Sequence, residues 1–244
     1  MADLEERLNT ADPQAEGLEQ KVKKEENKGV IRKFFDYAYL GAAAVGTTIW
    51  STATTGSLGM VVGIAFAGGG WIGSVLKRGK SFHSLATDFL KTYSAVNLII
   101  SPLVWLGNVT YPAVGAFGAN VASSLGSSPT IGAIAARSAY AVTAYNAAFI
   151  GAYKGANHLV SNYFNPIGLI DGITDGYWPL TKRVGMGFAP AYILAANGVS
   201  NIFGIPTFAW NAVPVGAYNN AYPLDEKPVH QLPQRQPKLD RQAA

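Results

Sequence analysis

The chain contains no cysteine, which excludes disulfides, thiolate zinc or iron–sulfur sites and a cysteine nucleophile. Glutamate is missing between Glu26 and Glu226. Between Lys91 and Lys182 only four charged residues intervene: Arg137, Lys154, Asp171 and Asp175. Charged residues make up 14% of the 244 positions, against roughly a quarter in ordinary globular proteins. A water-soluble domain of this length needs a charged exterior, so the shortage points to an exterior that faces lipid. The three histidines, His83, His158 and His230, are scattered along the chain, which argues against a metal site. No P-loop, nucleophile elbow, His-Glu-x-x-His or dinucleotide fingerprint is present. The reading therefore leans away from an enzyme and expects no cofactor.

Apolar residues fill 49% of the chain, yet mean hydropathy is only +0.14 because two polar ends dilute it. Residues 1–33 carry eight acidic and seven basic side chains, and residues 223–244 carry three and four. The middle keeps four acids and eight bases, so the formal charge of +4 resides there. Those bases cluster at the ends of apolar runs, a pattern suited to anionic lipid headgroups and not to nucleic acid. The expected organisation is a hydrophilic cytoplasmic tail (1–33), a transmembrane helical bundle (34–222) and a proline-rich cytoplasmic tail (223–244). In the first tail the i,i+4 pairs Leu4/Leu8 and Leu18/Val22 predict two short surface helices. Asp12-Pro13 reads as a cap followed by proline at the first helical position.

The first apolar run, 34–54, follows Lys28, Arg32 and Lys33, and a short turn at Thr55-Gly56-Ser57 leads to a second, 57–76. The second ends in Lys77-Arg78-Gly79-Lys80. At 1.5 Å per residue each run matches the roughly 30 Å hydrocarbon core. The pair therefore predicts a helical hairpin entered from its basic side, its first arm an uncleaved anchor. Further runs cover 86–107, 130–153, 184–203 and 206–222. Residues 108–129 are uncharged and rich in Gly, Ser, Asn and Pro, and residues 159–180 are broken by Pro166 and Pro179. Residues 108–129 are read as a full span or a half-helix that enters and leaves by one side, and both segments are counted as irregular or re-entrant, their crossing left open. With basic residues taken as inside, this gives an all-α, multi-pass bundle of about six transmembrane helices plus two irregular segments, both termini cytoplasmic.

Small residues repeat at four-residue spacing in Gly59-x-x-x-Gly63 and Gly69-x-x-x-Gly73. Such spacing lets helix backbones approach closely, within the chain or at a seam with a second copy or a membrane-complex partner. Arg137 is the single charge inside a strong span. Tyr140, Thr143, Tyr145 and Asn146 follow it, and on a helix Tyr140 and Thr143 fall within about 120° of it. Arg137, Tyr140, Thr143 and Asn146 are thus candidates for a pore or polar cavity. The competing expectation is an arginine that extends to the headgroups.

Asp171 and Asp175, at i,i+4 spacing, complete the candidate set. Paired carboxylates of this kind hold divalent cations or relay protons. With Asn165 they form Asn-x5-Asp-x3-Asp, which is similar to the aspartate-rich motif of the UbiA-type membrane prenyltransferases. The asparagine here stands two residues further upstream, and no second motif follows. That resemblance implies a magnesium diphosphate site, whereas the basic neighbours Lys182 and Arg183 imply a solvated interfacial pair. Three functional expectations follow. A small channel or carrier-like pore comes first, a structural or assembly subunit second, and a membrane-embedded enzyme with an Asp-rich site third.

Overall fold

The computed structural model describes residues 13–76 and 81–221, with side chains from residue 29 onward. Among the described residues the chain is all-α apart from one minimal hairpin. The helices are α1 (Pro13–Thr55), α2 (Leu58–Leu76), α3 (Phe82–Ser124) and α4 (Pro129–Tyr140). A π-helical turn, Ala141–Tyr145, carries α4 without a break into α5 (Asn146–Ser161). Then come α6 (Leu169–Thr174), α7 (Tyr177–Ala196), strands β1 (Asn201–Ile202) and β2 (Ile205–Pro206), and α8 (Thr207–Ala221). Two of these, α2 and α3, are long and apolar enough to cross a membrane.

The start of α1 at Pro13 suits a residue whose missing N–H costs nothing in the first turn. Its 43 residues run on through the charged stretch into the apolar run, so residues 13–33 form no separate short helix. Lys, Glu and Gln lose little rotamer freedom in a helix, and no proline follows Pro13 in this stretch. The Leu4/Leu8 pair lies outside the described residues. At Gly56 the backbone turns left-handed, φ +62°, a conformation cheap only for glycine, and α2 descends beside α1.

Residues 108–124 are not irregular, as one expectation had it: α3 stays helical to Ser124, with Pro102 and Pro112 inside it. Its glycines are contact surfaces and not breaks. A Cβ on Gly118 would lie 2.4 Å from the Gly132 carbonyl, and one on Gly132 would lie 2.3 Å from that of Gly118. The two backbones touch there, which only glycine at both positions permits. Residues 159–180 are broken around Pro166 and again at residues 175–176, whereas Pro179 sits in the first turn of α7 without breaking it. Tyr163, Phe164, Gly168 and Gly176 all take positive φ around the short α6.

Packing distributes polarity inward. Asn97, Ser51 and Ser94 have no exposed surface and Asn146 only 2%, whereas Phe117 is 69% exposed and Ile72 49%. Phe66, Phe149, Phe188, Tyr145 and Tyr192 fill the centre of the bundle with ring-to-ring contacts. Gly59 packs on Ser51 and Ile100, which puts the α1–α2 turn level with Ile100. From there α3 runs on to Ser124, roughly 36 Å further at helical rise. Over that length its partner is the antiparallel α4 and the π turn.

Candidate functional site

Arg137 lies between α4 and α3. Its Nε donates to the Tyr111 carbonyl at 3.2 Å, and the guanidinium lies over Gly115, where a Cβ would come within 2.3 Å of Nε. The side chain is half-buried and braces two helices through backbone and empty space. Tyr140 shares this neighbourhood, its ring edge-on to Tyr111 with centroids 5.7 Å apart. Tyr145 then donates to the Leu103 carbonyl at 2.9 Å. Both side-chain bonds to the α3 backbone land next to its prolines, Pro102 and Pro112.

Thr143 and Asn146 face elsewhere. They line an open groove of about 690 Å³ between the π turn and α7, with Val142, Trp178, Lys182 and Met186. Thr143 is exposed and returns its hydroxyl to the Ala139 carbonyl at 2.7 Å. Asn146 is buried behind the groove. Its Nδ2 donates to the Thr181 carbonyl at 2.9 Å, and its Oδ1 accepts from the Tyr192 hydroxyl at 3.2 Å. Gly185 makes this possible, since a Cβ there would lie 2.7 Å from Nδ2. The π turn widens the helix where Asn146 enters, a distortion that recurs at functional sites. The four-residue stripe read from sequence thus divides into an α3 brace, Arg137 with Tyr140, and a lateral groove, Thr143 with Asn146.

Asp171 lies in the first turn of α6 and Asp175 caps its end. Both are exposed. Lys154 donates to the backbone carbonyl of Asp175, and Arg183 stacks over the Tyr218 ring at 5.5 Å. Among the described residues no three metal-ligating side chains converge. The four motif glycines serve contacts within the chain. Gly59 and Gly63 meet Ser51 and Asn97, and Gly69 and Gly73 meet the α8 backbone at Val213 and Ala217.

Sequence reading missed a second site at the opposite end of the bundle. A polar pocket of about 270 Å³ is walled by Arg32, Asp36 and Tyr39 from α1, His83, Thr87 and Lys91 from α3, and the loop after α5. The α3 residues recur every four positions and so share one face. Tyr163, held at φ +55°, closes the pocket by donating its hydroxyl to Asp36 Oδ1 and laying its ring on Tyr39, centroids 4.4 Å apart. That hydrogen bond, followed by slight desolvation and the Asp36 charge, raises the pKa of the exposed Tyr163 above the usual phenol value. Tyr39 in turn donates to the Val160 carbonyl at 2.8 Å. The only signal in the sequence was the i,i+4 spacing of 32/36 and of 83/87/91. The pocket lies about 30 Å along α3 from Tyr111, counting Lys91 to Tyr111 at helical rise, and is separate from the Arg137 brace. Comparisons with protein-family models, with curated proteins and with solved structures return no match to this chain.

Proposed function

We propose that the chain is a multi-pass membrane protein that serves as a structural or assembly subunit. Its six crossings would be the apolar half of α1, then α2, α3, the continuous α4–α5 helix, α7 and α8. The distribution of polarity supports this: the buried amides of Asn97 and Asn146 find their partners inside the bundle, while large apolar side chains face out, the arrangement a hydrocarbon solvent selects. The assembly role rests on one observation, the apolar hairpin of α3 and α4. A bilayer fitted to the 19 residues of α2, about 28 Å, leaves that hairpin extending well past the α1–α2 turn. There it displays Trp105, Phe117, Val121, Ile131 and Ile134. An apolar surface of that extent outside the core calls for a covering partner.

A carrier-like role is favoured by a different feature, the lateral groove beside the π turn with Asn146 behind it. Against it, aromatic rings occupy the centre of the bundle, where a pore would run. Purified full-length chain in proteoliposomes, assayed for solute release beside photo-crosslinking from Phe117 and Ile131 in native membranes, separates the two. Discrete crosslinks from the hairpin, absent from Ile72, with no flux above empty liposomes support assembly. Flux that Asn146→Leu abolishes would overturn it in favour of the carrier. Orientation is read by single cysteines introduced at Ser57, Ser81 and Ser127. Labelling from outside should reach the first and third, and labelling at Ser81 would reverse the topology.

A further inference from the structure

We propose that the pocket at the base of α1 and α3 binds a phosphate ester that also carries a hydroxyl or amino donor. This is the chemistry shared by a phospholipid headgroup and its water-soluble counterpart. The walls supply two permanent cations, Arg32 and Lys91, against a single carboxylate, Asp36. That balance selects an anion over a cation, since a divalent ion would meet net positive charge and one ligand. Arginine offers a planar fork for phosphate oxygens and lysine a mobile point charge, the pairing found where phosphate is gripped.

Other wall groups fit the rest of the ligand. His83 Nδ1 is buried without a partner, and an imidazole nitrogen can donate or accept according to its tautomer. The ring is therefore a further polar group of the pocket wall with a nitrogen left for a ligand. Tyr163 occupies one oxygen of Asp36, and a carboxylate retains acceptor capacity on the other. A ligand donor beside the phosphate satisfies it, whereas a bare phosphate would leave the carboxylate facing an anion. The volume of about 270 Å³ is some nine times the ~30 Å³ share of a water molecule, enough for a small headgroup. The strained left-handed Tyr163–Phe164 pair is held in place by Tyr39 and Asp36, and strain of this kind collects at binding sites. The site lies apart from the α3–α4 hairpin on which the assembly role rests, so either can fail alone.

The test is native mass spectrometry of the full-length chain in a maltoside detergent, offered glycerol 3-phosphate, inorganic phosphate, phosphatidylglycerol or phosphatidylcholine. Retention of glycerol 3-phosphate over inorganic phosphate supports the site with a soluble ligand. Retention of phosphatidylglycerol alone, over phosphatidylcholine, supports it with a lipid headgroup. In either case Arg32→Gln and Lys91→Met should each weaken binding about tenfold or more, the effect of one charge-assisted hydrogen bond. Lys91→Arg, which keeps the charge, should restore most of it and shows that a loss is not misfolding. Wild-type chain that retains none of the donor-bearing probes, or both charge-removing variants binding like wild type, would overturn the proposal.

Discussion

Ser51 Oγ donates to Asn97 Oδ1 at 2.5 Å, joining α1 to α3 at a point where neither residue has any exposed surface. Gly59 and Gly63 on α2 close over this pair, with no room for a Cβ at either position. The Asn97 amide also donates to the Tyr93 carbonyl at 3.0 Å, so both ends of the side chain are satisfied. Removing one partner strands the other in an apolar interior, which costs about 1–3 kcal/mol. Asn97→Leu should therefore destabilise by that amount in detergent unfolding. Ser51→Ala combined with Asn97→Leu should cost less than the two single changes added together. Strict additivity would mean that the bond does not form.

The glycine contacts with α8 predict a contrast along one helix. A Cβ on Gly73 would lie 2.1 Å from the Ala217 carbonyl and one on Gly69 2.3 Å from that of Val213, whereas nothing lies within 4 Å of Gly68. Backbone atoms cannot rotate aside, so Gly73→Ala or Gly69→Ala should cost about 1–3 kcal/mol by overpacking. Gly68→Ala should be neutral or gain up to the ~1 kcal/mol that alanine brings to a helix interior. Folded yield and melting temperature in detergent decide between them.

How much of this was legible in the sequence depends on the kind of residue. The α1–α2 turn announced itself because Gly56 separates two apolar runs of bilayer length. Gly115 and Gly118 misled, since glycine beside Pro112 in a polar stretch reads as a chain break. Their function is to bring α3 against Gly132 and Arg137, a contact between residues too distant in sequence to pair by inspection. The basal pocket stayed hidden for the same reason: Asp36 and His83 belong to separate stripes, and each stripe alone resembles a solvated face. Tyr163 offers no signal at all, because tyrosine is a rare choice for a left-handed residue. Arg137 was legible as an isolated charge, but its acceptor is a backbone carbonyl, which leaves no mark in a sequence.

Arg137→Leu removes the bond to Tyr111 and the filling over Gly115. The expected effect is local. Amide exchange should accelerate in residues 108–124 and 129–140 while α1 and α2 keep their protection. Uniform acceleration across all helices would show that the arginine holds the whole bundle and not the hairpin.

Asp171→Asn with Asp175→Asn should change stability by no more than about 0.5 kcal/mol, the usual range for exposed positions. The Lys154 contact survives, because it is made to the Asp175 backbone. Magnesium should not raise the melting temperature of the wild-type chain. A magnesium-dependent rise lost in the double variant would establish the pair as a cation site.

Tyr163 should ionise above the ordinary phenol value because its proton is held by Asp36. With the folded pKa raised, the contribution of this bond is complete below about pH 10, the unfolded value. It is lost as pH rises through the folded pKa. Nuclear magnetic resonance of labelled tyrosine carbons, with Tyr163→Phe for assignment, should show this resonance titrating late and returning to normal in Asp36→Asn. An early titration in wild type would mean that the contact is broken in solution.

The central claim is that the apolar exterior of this bundle meets lipid. Spin labels at single cysteines in place of Ile72, Ile134 and Met186, all exposed, test it in reconstituted bilayers, and the cysteine-free chain gives no background. Labels at Ile72 and Met186 should collide with oxygen, which dissolves in lipid, and be shielded from a water-soluble nickel chelate. The label at Ile134, on the hairpin beyond the bilayer, should stay open to the chelate until the partner that covers it is supplied. Free access of the chelate to Ile72 and Met186 would place these faces in water and contradict the account.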